Sequence, residues 1–387
     1  MKAGWQTKTL EQISENLDSR RIPITKAVRN NGAFPYYGAS GIVDYVAEYI
    51  FDCDALLVSE DGANLLARST PIAFSVSGKY WVNNHAHILR FDQPKTQRFV
   101  ELYLESIPLD EYITGAAQPK LNQKALNSIP IPYPPLAEQR RIVGILDEAF
   151  EGLANAKANA EQNLQNARAL FESHLHAVFT QRGDGWVEKP LSELCDIKHG
   201  FAFKSEFFTT EGDYVLLTPG NFYETGGYRD RGEKQKYYTG EIPPDFVLSE
   251  RDLLVAMTEQ AAGLLGSPIL VPESDKFLHN QRLGLVTKKL GVPWTNEFFF
   301  HVFNTQAVRK EIHDSASGVK VRHTSPTKIG DVVVSFPTLP SEQRAIVATL
   351  KDLREETQRL ESLYQRKLAA LEELKKSLLH RAFSGQL

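Results

Sequence analysis

Glu138-Gln139-Arg140-Arg141-Ile142-Val143 recurs as Glu342-Gln343-Arg344-Ala345-Ile346-Val347, so the second copy begins 204 residues after the first. The register holds without a gap for over forty residues. Leu146 matches Leu350, Glu151 matches Glu355, Leu164 matches Leu368, Leu170 matches Leu374, and Phe179 matches Phe383. A Pro-bearing lead precedes each copy, Pro132-Tyr133-Pro134-Pro135 and Pro337-Thr338-Leu339-Pro340, and a glycine follows each, Gly183 and Gly385. Those are helix start and stop signals. The chain is therefore a tandem repeat closed each time by a long helix.

At 4-3 spacing the second helix presents Ile346, Leu350, Leu353, Thr357, Leu360, Tyr364, Lys367, Leu371, Leu374 and Leu378 along one seam. The first presents Ile142, Leu146, Ala149, Leu153, Ala156, Ala160, Asn163, Ala167, Leu170 and His174. An alanine-rich seam facing a leucine-rich one predicts that the two helices pair with each other as an antiparallel coiled coil. Roughly forty residues at 1.5 Å each make each helix about 60 Å long. The alternative is that each helix packs on its own block. A second apolar line, Val143, Leu164, Phe171 and Leu175 with Val347, Leu368 and Leu379, remains outside the seam. It is expected to meet a partner subunit, once per helix, unless the blocks cover it.

Working outward, each helix follows a block that opens with a Trp and a Leu five residues on: Trp5 with Leu10, Trp186 with Leu191. Short apolar runs at 55–58, 72–76, 253–256 and 332–334 between Gly, Pro, Asn and Asp turns read as strands, and 97–106 and 296–312 read as helices. The fold class is α/β (α+β), with boundaries at 1–134 for block one, 135–182 for helix one, 183–338 for block two and 339–387 for helix two.

Composition narrows the function. The 387 residues exceed one average domain. With 42% apolar and 24% charged residues the chain is neither disordered nor fibrous. Lys and Arg number 44 against 48 Asp and Glu, a net charge of -4, so any nucleic-acid contact is local. Two distant cysteines, Cys53 and Cys195, fit a reducing cytoplasm rather than a disulfide framework or zinc finger. No leader-like apolar stretch follows Lys2, and no apolar run reaches 18 residues, so secretion and membrane spanning are not expected.

Catalytic motifs are missing: no phosphate-binding loop, dinucleotide fingerprint, His-Glu-x-x-His or nucleophile elbow is present. Pro132-Tyr133-Pro134-Pro135 lacks the Asn/Asp-Pro-Pro-Tyr/Phe order of amino-methyltransferases. Asn84-His85-Ala86-His87 could aim two imidazoles to one face of a strand, but no third ligand follows at a familiar spacing, and no metal is expected. Ser59-Glu60-Asp61-Gly62 reads as an acidic turn.

The blocks offer instead side chains suited to base edges and phosphates. In block one these are Arg20, Arg21, Lys26, Arg29, Tyr36, Tyr37, Asn64, Arg68, Asn83, Asn84, His85, Lys120, Asn122 and Lys124. In block two they are Lys198, Lys204, Arg229, Arg231, Gln260, Asn280, Gln281, Arg282, Lys320, Arg322 and His323. Arg and Lys meet phosphate or guanine, and Asn and Gln pair with adenine.

Pro35-Tyr36-Tyr37-Gly38-Ala39-Ser40-Gly41-Ile42-Val43-Asp44-Tyr45, Leu57-Val58-Ser59-Glu60-Asp61-Gly62-Ala63-Asn64-Leu65 and Val82-Asn83-Asn84-His85-Ala86-His87 carry a resemblance. So do Gly200-Phe201-Ala202-Phe203-Lys204-Ser205, Met257-Thr258-Glu259-Gln260-Ala261-Ala262-Gly263, His279-Asn280-Gln281-Arg282-Leu283, and the helix leads Leu136-Ala137-Glu138-Gln139-Arg140 and Leu339-Pro340-Ser341-Glu342-Gln343-Arg344. Over nearly its whole length the chain resembles the specificity subunit of type I restriction-modification systems. The resemblance implies two target-recognition domains, each reading half of a bipartite double-stranded DNA site, with the coiled coil as ruler and pseudo-twofold symmetry. It implies two modification (methyltransferase) subunits and two motor-nuclease subunits as partners, with S-adenosylmethionine, ATP and magnesium held by those partners, and a non-catalytic role in a prokaryotic cytoplasm. The rival readings are a two-headed protein-binding scaffold and a stand-alone nuclease.

Overall fold

A computed structural model describes residues 4–115, 117–260 and 263–387; Met1-Lys2-Ala3 and the Ala261-Ala262 pair of the second-block motif lie outside the described residues. The chain divides into two compact units, Met1–Gln162 with Tyr364–Leu387, and Asn163–Leu363. Each long helix, Leu136–Thr180 and Pro340–Phe383, gives part of its length to each unit. No helix among the described residues is long and apolar enough to cross a membrane.

The two units follow one plan. In the first, a four-stranded antiparallel sheet runs in the order Glu15–Asn16, Ala86–Arg90, Ala55–Ser59, Ala73–Val76. In the second the order is Cys195–His199, Leu283–Lys288, Leu253–Ala256, Pro268–Leu270. The inner strands Ala55–Ser59 and Leu253–Ala256 are buried along their whole length, as strands covered on both faces must be. A second four-stranded sheet in each unit contains one parallel pair, Asn31–Gly38 with Lys79–Val82 and Val215–Leu216 with Phe277–Leu278. The Trp-to-Leu spacing is explained by a strand that pairs with the lead of the following helix. Gln6–Thr9 lies on Pro130–Tyr133, Trp186–Pro190 lies on Val333–Pro337, and both strands end in a fully buried leucine, Leu10 and Leu191.

The expected helix 97–106 lies within Pro94–Ser106. The expected helix 296–312 is two helices, Asn296–Phe303 and Gln306–Asp314, broken where Thr305 turns extended and caps the second.

Gln139 and Gln343, central to the repeated Glu-Gln-Arg, are the buried anchors of the long helices, at 1% and 0% exposure. The Gln139 amide donates to the Pro134 carbonyl at 2.8 Å and its oxygen accepts the Thr96 hydroxyl at 2.7 Å. Gln343 donates to the Pro293 and Pro337 carbonyls and accepts from the Thr295 amide and hydroxyl. Each glutamine thus ties helix, lead and target domain together. Gln343→Ala is expected to lower stability by about 2–3 kcal/mol, read by denaturant unfolding, because the orphaned groups stay buried. A change under about 0.5 kcal/mol would contradict this anchoring.

Within each unit the helices run antiparallel. In the first, Arg141 donates to the Leu387 carbonyl at 2.6 Å and Lys157 pairs with Glu372 at 2.7 Å. In the second, Arg168 pairs with Glu361 at 3.1 Å, the Arg354 guanidinium lies 4.0 Å over the Phe171 ring, and Phe179 packs near Ile346. Ile142, Leu146, Ala160, Ala167, Leu350 and Thr357 of the seam are buried. Leu170 and Leu374 are not: they are 46% and 48% exposed. A 3.5-residue seam drifts by about 20° per heptad on a 3.6-residue helix, so by this point Phe171 replaces Leu170 on the inner side. The additional apolar line is largely covered from within. Val143, Phe171, Leu175 and Leu379 are buried in their own units, and Leu164, Val347 and Leu368 are half-buried. The helix ends at Phe383, and Gly385 follows at φ +77°, a left-handed conformation suited to glycine.

Candidate nucleic-acid interface

Side-chain partners sort the candidates. Several are committed to the fold. The Arg21 guanidinium bonds Glu60 at 2.6 Å and the Ala86 carbonyl at 2.9 Å. Arg29 pairs with Asp44 at 3.1 Å and lies 4.2 Å over the Tyr36 ring, which is itself 1% exposed. Asn64 holds its own turn through Thr70 and Ser69, and Arg68 donates to the Leu65, Leu104 and Ile107 carbonyls. Asn122 caps the helix Gln123–Ser128, and Arg322 is held by His313. Tyr37 is half-buried edge-on to Tyr80. These residues shape the domains and leave little to offer a ligand.

Others stay exposed with softer tethers. Arg20 lies over Phe51, Lys198 over Phe246 and Arg229 over Tyr223, at 5.4, 4.5 and 5.8 Å. Lys120 reaches Glu60 at 3.2 Å, Lys204 reaches Glu206 at 4.0 Å, and His323 approaches the Thr258 hydroxyl at 3.3 Å. Arg231 is half-buried with its guanidinium against Gly220. Lys26, Lys124, Gln260 and Lys320 are exposed.

The sequence signal that joins both units is the turn between the two sheets. Val82 ends a strand, Asn83-Asn84-His85 turn, and Ala86 begins the next; Leu278 and Leu283 bracket His279-Asn280-Gln281-Arg282 in the same way. Asn83 and Asn280 are buried, at 8% and 9% exposure. Each side-chain oxygen accepts the amide two residues on, from His85 at 2.8 Å and from Arg282 at 3.0 Å. Asn84, His85, Gln281 and Arg282 are thereby turned outward. His85 Nδ1 sits 2.8 Å from the Asp61 carboxylate.

His87 is the residue most changed by the structure. It is 1% exposed, with Nδ1 at 2.5 Å from Asp18 and Nε2 at 2.7 Å from the Leu121 carbonyl. Both neighbours are hydrogen-bond acceptors. Asp18, Glu60 and His87 could geometrically hold a cation. Their ligand atoms are already engaged, since Asp18 pairs with His87 and both Arg21 and Lys120 face Glu60. The cluster is an ion-pair network. Burial opposes ionisation of Asp18 and Glu60, but for Asp18 the His87 bond and charge outweigh it, and for Glu60 the Arg21 bond and the His87 charge do, so both carboxyls titrate below their ordinary values. The pairing registers Ser59 with Ala86 and Ala256 with Leu283 place Met257 and Gly284 where Glu60 and His87 stand, so the second unit has an apolar contact here.

Carboxyls with depressed folded values stabilise fully above their unfolded values, about 3.9–4.3, and lose that contribution as pH falls through the folded ones. The network is therefore expected to weaken as pH falls below about 4, and urea unfolding should lose more stability between pH 5 and pH 3 in the native chain than in His87→Ala; equal losses would contradict the network's role.

Sequence reading missed Asp18, whose partners His87 and Ile88 lie 69 and 70 positions away, and the exposed apolar residues of the hairpin at 38–46. There Ile42, Val43 and Tyr45 are 48–56% exposed beside the Asn83 turn. The dense apolar residues Ile42, Val43 and Tyr45 in a strand opened by Gly41 are the signal that could have found it.

Comparison with known proteins places this arrangement. A family profile described as the type I restriction modification DNA specificity domain matches residues 2–164 and 183–370. A Haemophilus influenzae protein named as a type I restriction enzyme specificity subunit is 36% identical over 140 residues, 36% of each chain. The EcoBI specificity subunit of Escherichia coli is 25% identical over 223 residues, 57% of this chain and 43% of that one. The aligned part thus spans less than half the length of either relative. A chain from a structure describing complex assembly and conformational transition of the type I R-M system shares the fold, with a TM-score of 0.72 at 17% identity, covering 100% of this chain and 99% of the other.

Proposed function

The chain belongs to the type I restriction-modification DNA specificity family, and we propose that it serves as the specificity subunit, each target domain reading one half of a bipartite double-stranded DNA site. The observation that carries this reading is the duplication itself. Two units of one plan, each with a buried-Asn turn presenting polar side chains, are joined by helices that each belong to both. Different residues at equivalent turns suit an asymmetric target.

In this reading the chain binds and selects but does not catalyse. Two modification subunits dock on it, two motor-nuclease subunits join for restriction, and S-adenosylmethionine, ATP and magnesium belong to those partners. In this reading exposed Lys26, Lys124 and Lys320 meet phosphates, while Asn, Gln and Arg side chains at the turns meet base edges. The paired helices set the unread spacing, and the family setting is a prokaryotic cytoplasm.

The test is selection of duplexes from a randomised library by the chain assembled with its methyltransferase subunits. A two-part motif is expected, with affinity falling steeply with salt: neutralising about six phosphates gives a log–log slope near −5. A salt-independent complex without sequence preference would contradict the reading and favour a protein-binding scaffold.

A further inference from the structure

We propose that the two Asn-held turns are the base readers of the two halves, with Arg282 pairing with a guanine in one half-site and Asn84 with an adenine in the other. This rests on the proposed DNA-reading function and names the residues that carry it.

Four features coincide at the two turns. First, both turns have the same internal lock, a buried Asn oxygen on the amide two residues on, at 2.8 and 3.0 Å. A locked backbone fixes where the next two side chains start, which lowers the cost of ordering them on a ligand. Second, each turn joins the two sheets of its unit, so it stands between largely buried strands rather than on a loose loop. Third, a glycine backs each turn. A Cβ on Gly38 would lie 3.2 Å from the Asn83 amide nitrogen, and one on Gly200 would lie 2.3 Å from the Asn280 carbonyl oxygen. At Gly200 the atom met is backbone, so only a residue without a side chain allows that approach; at Gly38 the group met is the Asn83 side-chain amide. Fourth, among the described residues Asn84, Gln281 and Arg282 are exposed and their side chains show no hydrogen bond or ion pair, whereas Arg21, Arg29, Arg68 and Arg322 are tied down.

The side chains left open are those whose donor patterns match major-groove edges: a guanidinium spans guanine O6 and N7, and a carboxamide spans adenine N6 and N7. His85, held by Asp61, is a positioned neighbour rather than a reader. Exposed Phe201 beside the second turn and Ile42 and Val43 beside the first supply apolar surface for base or methyl contact.

The experiment uses the chain assembled with its methyltransferase subunits and a randomised duplex library, comparing the native chain with Arg282→Ala, Arg282→Lys and Asn84→Ala. Arg282→Ala is expected to lower preference at one G·C position of one half about tenfold or more while the other half is unchanged. Arg282→Lys should keep affinity yet lose part of that preference. Asn84→Ala should relax one A·T position in the opposite half. Uniformly weaker binding with an unaltered motif would make these residues phosphate contacts and overturn the proposal. Relaxation of both halves by either variant would overturn it too. A native assembly that selects no sequence would overturn the DNA-reading function and this proposal with it.

Discussion

Replacing His87 with alanine is expected to destabilise the first unit by about 3–5 kcal/mol, the range for breaking a buried ion network by removing one partner. Asp18 and Glu60 are 8% and 9% exposed and would lose the imidazole that lies 2.5 and 3.8 Å from their carboxylates. Arg21 and Lys120 could still neutralise Glu60, but Asp18 would keep only a 3.6 Å approach from Arg21 and the Ile88 amide. The cluster ties together residues 18–21, 60, 86–88 and 121, which include the strands flanking the Asn83 turn, so local opening should accompany the loss. Hydrogen exchange resolved along the chain is the measurement: exchange should rise across 15–121 and stay native across 195–330. Gly284 occupies the equivalent site of the second unit, so no comparable substitution exists there. A loss under about 1 kcal/mol would mean that the charges are compensated by water and not by one another.

The second large effect concerns spacing. Inserting one heptad into both long helices, between residues 162 and 163 and between 363 and 364, lengthens each by about 10 Å. That corresponds to roughly three base pairs at 3.4 Å per step. The unread spacer of the recognised site is expected to grow by about that much while both half-sites keep their sequence. Insertion into one helix alone should abolish modification, because Lys157–Glu372 and Arg168–Glu361 could not both form. An unchanged spacer in the doubly extended chain would refute the helices as the ruler.

What was legible in the sequence was whatever depended on period and spacing. The 204-residue repeat gave both long helices and their pairing, and the Trp-to-Leu spacing marked the opening of each block, where the structure shows equivalent strands. The drift that exposes Leu170 and Leu374 was not legible, because a strict 4-3 count ignores the 3.6-residue helix. The Gln139 and Gln343 anchors were visible as identical letters but not as buried amides, since their partners Thr96 and Thr295 stand far away in the chain. Among candidate contacts, composition could not separate Arg282, which is open, from Arg68, which feeds three backbone carbonyls. That separation depends on tertiary partners, and no local pattern encodes them.

On the proposed function, each unit's target domain specifies one half of a bipartite site. The most direct test is modified-base mapping of genomic DNA from cells carrying the chain with its methyltransferase subunits, before and after replacing residues 183–338 with the corresponding domain of another family member. The account predicts a two-part motif of which only one part changes on exchange. A single uninterrupted motif, or a change in both parts, would contradict it.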